Sequence, residues 1–302
     1  LVFTKDGQLF AACTDGSFLK VDPKTGAVKN RFCPASATDI SAGPVVCENS
    51  VVFGTNDGKI VLCIEDKRNL AIRYKTFEAG KLIRPPLIAK EGRVAFFTTL
   101  DSTLRAISLK DGSLLWEAKL ESEPSQQATL AGDSVIIACL DGTICAYSTN
   151  TGRLRWKHRQ RPPCFLAALG HKAAVSSAKR VAAFECRRGK KIWEIQFPEV
   201  VTFLLAEKSK LWVAAPPKLY AIEAYRGMSF AEKKVGKGIG FLLKTGENLI
   251  VGCNRKEILA LDPVSLNRKW YYQGLATVEA AAGYSGKLVL VEGQKDLVCL
   301  KD

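Results

Sequence analysis

The chain has 302 residues, 47% of them hydrophobic, with 44 Lys and Arg against 30 Asp and Glu for a formal net charge of +14. Nothing approaches the ~18 consecutive apolar residues of a membrane-crossing helix, and no Pro/Gly/Ser-rich linker or low-complexity tract interrupts a sequence apolar enough to fill one large domain over residues 1–302. Only two histidines, His158 and His171, are available, and no catalytic triad can be assembled from their spacing.

From the N-terminus onward the chain reads as a repeat. Residues 1–4 are expected to form the innermost strand of a first sheet, and short β-rich runs follow at 50–53, 94–98, 134–139, 211–214, 249–253 and 288–291. A turn and a second strand come after each run. The small or anchor residue of that second strand sets the phase: Lys20, Cys63, Ala106, Ala146, Ala183, Ala221, Ala260 and Cys299, spaced 37 to 43 residues apart. Six residues past the anchor stands Gly26, Gly112, Gly152, Gly189 or Gly227, with Asn69 and Leu266 as exceptions. Ten past it stand Trp116, Trp156, Trp193 and Trp270, four of the five tryptophans, which a single-residue slip would scatter.

The turns agree with this phase. Asp15-Gly16, Asp57-Gly58 and Asp141-Gly142, with Asp101-Ser102 as a weaker version, predict two-residue hairpins that need φ > 0. Short strands, frequent turns and a period near 40 residues predict an all-β, eight-bladed β-propeller of four-stranded antiparallel sheets, with seven blades and a spare hairpin as the alternative. The eighth repeat lacks an outermost strand. Since the chain opens without Met and inside a strand pattern, that strand is expected from sequence upstream of Leu1 or beyond Asp302, in a larger chain or complex.

At residues 146–156 the string Ala-Tyr-Ser-Thr-Asn-Thr-Gly-Arg-Leu-Arg-Trp resembles the tryptophan-docking repeat of quinoprotein-type (PQQ-like) propellers, A-x-D-x-x-T-G-x-x-x-W. Residues 106–116 and 183–193 resemble it too, and residues 20–30 keep Asp22, Thr25 and Gly26 without the Trp. The resemblance covers essentially the whole chain. It implies that Trp116, Trp156, Trp193 and Trp270 stack between neighbouring blades, where a buried indole still needs an acceptor for its N–H.

Charge is concentrated in one stretch. Residues 153–193 hold twelve Lys or Arg against one carboxylate, Glu185. Arg153, Arg155, Lys157, Arg159 and Arg161 alternate, which in a strand sets five cations on one face. Lys179 and Arg180 add to them in one turn, and Arg187, Arg188, Lys190 and Lys191 in another, so a basic flank across the fourth and fifth blades is expected. Lys and Arg commonly protect exposed sheet edges, which is the structural reading of this flank. The functional reading is attraction of an acidic partner: a carboxylate-rich protein surface, an anionic membrane or nucleic acid. Among such partners nucleic acid fits least, since no recognition helix and little aromatic stacking surface accompany the cations.

Catalysis has less material. The resemblance implies that relatives in this superfamily include dehydrogenases that bind PQQ and calcium at the ring centre and use an aspartate base. The central first strands here are small and apolar, with Glu279, Asp39 and Glu78 as the possible oxygen donors and no motif joining them. Residues 236–240 contain glycines but no phosphate-loop motif. The ten cysteines form no C-x-x-C and no Cys/His cluster with zinc spacing; they read as buried thiols, with one or two disulfides as the alternative. The sequence thus predicts a non-enzymatic scaffold for protein–protein interaction that uses no metal or cofactor, its basic flank facing a protein partner with an acidic surface. The alternatives are a PQQ-dependent oxidoreductase and a propeller module of a larger multidomain enzyme.

Overall fold

The computed structural model describes the chain apart from residues 5, 14, 34–39, 48, 49, 66–71, 81–83, 90–92, 126, 127, 237, 255, 294, 295 and 302. Asp39 and Asn69 therefore lie outside the described residues. Among those described, 31 strands build eight antiparallel sheets, each with its strands in chain order: seven of four strands and an eighth of three, Val278–Tyr284, Lys287–Glu292 and Asp296–Lys301. No helix is long and apolar enough to cross a membrane among these residues.

The chain clusters into two units. The first holds residues 1–128 with 149–153, and the second 129–148 with 154–302. In the first unit the leading strand of the second sheet, Ile40–Cys47, lies against Val2–Phe3 and Leu87–Ala89, the leading strands of the first and third sheets. In the second unit the leading strands Thr129–Ala131, Leu166–Leu169, Phe203–Glu207, Ile239–Thr245 and Val278–Tyr284 contact one another in succession. Second and third strands are the most buried, as in Ser134–Ala138 and Thr143–Ser148, where every residue is buried. Fourth strands alternate between exposed and half-buried residues. The core therefore consists of layers between facing sheets, such as the cluster of Ile136, Ile144, Ala173, Val175 and Phe184.

The register accounts for the sequence phase. Each anchor faces the residue ten positions on across the hairpin: Ala106 pairs with Trp116, Ala146 with Trp156, Ala183 with Trp193 and Ala260 with Trp270. A large indole opposite a methyl group keeps the pair level with its neighbours. One residue before each Trp the register shifts, so that two residues of the fourth strand oppose one of the third, a β-bulge that bends the strand. The bulge breaks the alternation expected from Arg153 to Arg161. Arg155 occupies it and is half-buried, while Lys157 and Arg159 beyond it are exposed.

The hairpins differ from the two-residue turns predicted from Asp-Gly. Positive φ is taken by Gly16, Gly58 and Gly142 (78°, 88° and 84°) and by Ser102 (55°), and by none of the aspartates before them. Their N–H groups donate to the carbonyls of Cys13, Thr55, Cys139 and Thr99, three residues back. These are three-residue connections closed by a left-handed residue. The aspartate keeps ordinary φ because its carboxylate accepts hydrogen bonds from two residues on, at 2.9 Å from the Ser17 N–H and 3.0 Å from the Thr143 N–H.

The glycine six past the anchor has two functions. Gly189 and Gly227 take φ of 69° and 73°, and a Cβ there would lie 2.6 Å and 2.7 Å from the rings of Trp156 and Trp193. Gly26 has the same φ, 73°, with nothing within 4 Å of that position. Replacing Gly26 by Ala should therefore cost only the left-handed strain, about 1–2 kcal/mol, whereas Gly189→Ala adds overpacking against the indole of about 1–3 kcal/mol. Thermal unfolding should rank Gly189→Ala as the more destabilised variant; the reverse order would show that the indole does not depend on a bare backbone beneath it.

Candidate functional site

The indoles make one recurring bond. Trp116 Nε1 donates to the Thr149 carbonyl at 3.0 Å, within the first unit. In the second unit Trp156 Nε1 donates to the Cys186 carbonyl at 2.8 Å and Trp193 Nε1 to the Ala224 carbonyl at 3.0 Å. Each acceptor stands three residues past an anchor alanine. The fifth tryptophan, which does not share the sequence phase, joins the same scheme. Trp212, fully buried on the second strand of the sixth sheet, donates at 3.0 Å to the Pro263 carbonyl, three residues past Ala260. The sixth sheet has Ala231 where others have Trp, and the seventh has Leu266 where others have Gly, at φ 57° and fully buried. Trp270 packs with Ile258, Ala260 and Leu288.

The cations of the basic stretch fall into two groups. Arg155, Lys179, Arg180 and Lys191 are engaged by carboxylates. Arg155 grips Asp133 with both guanidinium nitrogens, at 2.5 Å and 2.6 Å, and also donates to Ser134 Oγ at 2.6 Å. Glu194 lies 2.9 Å from Lys191 and 3.5 Å from Arg180, and Glu199 lies 3.8 Å from Lys179. Sequence reasoning missed Asp133, Glu194 and Glu199 because one precedes its partner by a strand and two lie just past the stretch whose charge was counted. The second group, Arg159, Arg161, Arg187, Arg188 and Lys190, is exposed in the second unit with no carboxylate within 4 Å among the described residues. Lys157 is exposed beside them, and Arg153, which clusters with the first unit, is exposed as well. Asp133, His171, Glu185 and Arg187 line a cleft of about 330 Å³ between the fourth and fifth sheets.

The histidines differ in their surroundings: His171 is exposed at the cleft just described, whereas His158 is packed. His158 lies with ring centroids 5.2 Å from Trp156 and 5.0 Å from Phe184, and its Nε2 is 2.7 Å from the Gly189 carbonyl. Of the possible calcium donors, Asp39 lies outside the described residues, and Glu78 and Glu279 belong to different units. Glu78 belongs to a fourth strand, opposite Lys59, and not to a central one. Glu279 is exposed and lines a cleft of about 250 Å³ with Phe241, Leu242 and Leu243. No group of three or more His, Cys, Asp or Glu able to hold a metal exists among the described residues. Seven of the ten cysteines are buried and two, Cys33 and Cys299, are exposed, with no disulfide among the described residues. Burial pushes the thiols of Cys164 and Cys253 up to about 11 and that of Cys186 to about 12, which makes them inert packing groups.

Sheets with strands in chain order, their leading strands side by side and their outer strands punctuated by indoles, define a class that the solved structures confirm. The chain superimposes over 99% of its length on BamB from Moraxella catarrhalis (TM-score 0.74, 16% identity, 95% of that chain). It also superimposes over 99% of its length on the computationally designed protein Ika8 (TM-score 0.83, 15% identity, 94% of that chain). The fold is an all-β, eight-bladed β-propeller of PQQ-like repeats. The family described as outer membrane protein assembly factor BamB matches residues 14–170 and 78–200, more than half of the chain, and the chain belongs to it. The outer membrane protein assembly factor BamB of Nitrosomonas eutropha is 23% identical over 207 residues, 62% of this chain and 49% of the relative. The chain spans about half the length of the curated relatives it matches most extensively.

The Arg155–Asp133 pair has a pH signature. The hydrogen bond from Arg155 holds the Asp133 carboxyl at about 2, below its ordinary 3.8. A depressed folded-state value means stability that is fully present above about pH 4 and is lost as pH falls toward 2. Carboxyl NMR titration should place the Asp133 midpoint near 2 in the wild type and back near 3.8 in Arg155→Gln. Equal midpoints in the two proteins would show that the guanidinium does not hold this carboxylate.

Proposed function

We propose that this chain is a non-enzymatic scaffold of the BamB kind, which presents the cations of its fourth and fifth sheets to an acidic surface on a protein partner. The reading rests on one observation above the others: Arg159, Arg161, Arg187, Arg188 and Lys190 stand exposed in one stretch without a carboxylate within 4 Å among the described residues. Arg161, Arg187, Arg188 and Lys190 lie outside the fourth strands Leu154–Arg159 and Lys191–Gln196, so guarding a strand edge does not account for them. Arg187 acts on Asp133 and Arg159 on Asp141 beyond contact distance, and the net positive field of the stretch would steer an acidic partner and set its orientation. The family relationship supports a role in assembly with other proteins, since the curated relatives carry the name outer membrane protein assembly factor. In this reading residues 1–302 act as one propeller domain, and the in-phase indoles of Trp116, Trp156, Trp193 and Trp270 each tie their own blade to the next.

Binding of fluorescent poly-glutamate tests the flank. Affinity should fall steeply between about 0.01 and 1 M salt, as the Debye length shrinks from about 30 to about 3 Å. Combined reversal of Arg159, Arg187 and Arg188 to Glu should reduce it at least about tenfold at low salt with unfolding unchanged. Binding indifferent to both manipulations would exclude this surface.

The oxidoreductase reading makes its own demand. Protein incubated with PQQ and calcium should show no dye-linked oxidation of alcohols or sugars. Turnover that saturates with cofactor would replace the scaffold assignment.

A further inference from the structure

The junction between the sixth and seventh sheets departs from its neighbours in a way that opens a groove. At the two preceding junctions in the second unit an indole lies over the flanks of the next sheet's third strand. Trp156 packs with Ala182 and Phe184 on either side of Ala183, and Trp193 with Tyr220 and Ile222 on either side of Ala221. In the sixth sheet the corresponding residue is Ala231, opposite Ala221. The next third strand, Glu257–Leu261, turns Leu259 and Leu261 toward it. Trp212 fills the interior of the junction from the second strand, but nothing of indole size stands at the outer position. A cleft of about 750 Å³ lies there, against about 250 to 330 Å³ for three other clefts.

The lining defines what would fit. The half-buried Leu259 forms the floor above the fully buried Leu261, Val235 and Tyr271 flank it, and Lys233, Lys234 and Arg268 stand at the rim. None of the three cations has a carboxylate within 4 Å among the described residues, and Glu232 beside Lys233 is held by Lys218 at 2.6 Å. The lining includes one carboxylate, Glu257, which accepts from Asn254 at 3.0 Å. An apolar floor with an aromatic wall rewards a bulky side chain, and three cations at the rim reward carboxylates around it.

We propose that this groove docks an acidic segment of a partner protein through one aromatic side chain, which takes the place of the indole missing at Ala231, while flanking carboxylates meet Lys233, Lys234 and Arg268. The surface is separate in sequence from the basic stretch at 155–191, and its test does not depend on that stretch. Fluorescence anisotropy would follow a labelled peptide of Asp and Glu with one central Trp, beside counterparts with Ala for the Trp and with Lys for the acids. The wild type should bind the first peptide at least about tenfold more tightly than either counterpart. Ala231→Trp, which fills the groove from within, should abolish that preference, and so should Lys233→Glu combined with Arg268→Glu. The triple reversal at Arg159, Arg187 and Arg188 should leave the preference for the central Trp intact. If Ala231→Trp does not fold, the rim reversal decides alone. Equal affinity for the Trp and Ala peptides, or a preference that survives the rim reversal, would overturn the assignment.

Discussion

An indole is large enough to close the gap between two sheets, but it brings an N–H that cannot be left without an acceptor when buried. This chain meets that condition with one geometric solution used repeatedly. The acceptor is the carbonyl three residues beyond the anchor, and its position is fixed because the hairpin leaving the anchor turns at a left-handed residue. Anchor, acceptor, turn and ring are thus mutually constrained. The alanine makes room opposite the indole, the glycine lets the ring lie on bare backbone, and the bulge before the Trp aims the side chain. Everything carried on the outer strands, including the cations of the fourth and fifth sheets, is oriented by that arrangement.

Much of the fold was legible because its signals are local and repeated. The anchors, glycines and tryptophans share a phase that the register reproduces as direct pairs. What escaped involves relations that no repeat template encodes. Trp212 lies off-phase, and only the position of Pro263 reveals that it serves the same acceptor. The Asp-Gly pairs announced turns correctly but not their length, since side-chain acceptance by the aspartate decides its φ. For the site, the exposure of most of the basic stretch could be anticipated from composition. The neutralisation of Arg155 by Asp133 depends on a bulge and a strand pairing that alternation alone does not contain.

The two kinds of cation in that stretch illustrate why counting charge overstates a surface. Arg155 is bound at both nitrogens and acts as a strut between Asp133 and Ser134, whose own hydroxyl reaches the Cys186 carbonyl at 3.1 Å. That carbonyl also accepts from Trp156. A residue read as a binding cation is therefore part of the scaffold that supports the indole. The neighbours without a carboxylate within 4 Å, Arg159, Arg161, Arg187, Arg188 and Lys190, are the ones on which the proposed binding role rests.

Leu266 shows how such a frame diversifies. A leucine held at φ 57° costs about 1–2 kcal/mol of backbone strain, yet fully burying its side chain returns about 1.5–3 kcal/mol, so the exchange for glycine is sustainable. The backbone keeps its path while the side chains filling the gap are redistributed among Trp212, Ala231 and Leu266. A seam of this type thus gains a crevice by moving side-chain volume between neighbouring positions while the pairing of its strands is kept.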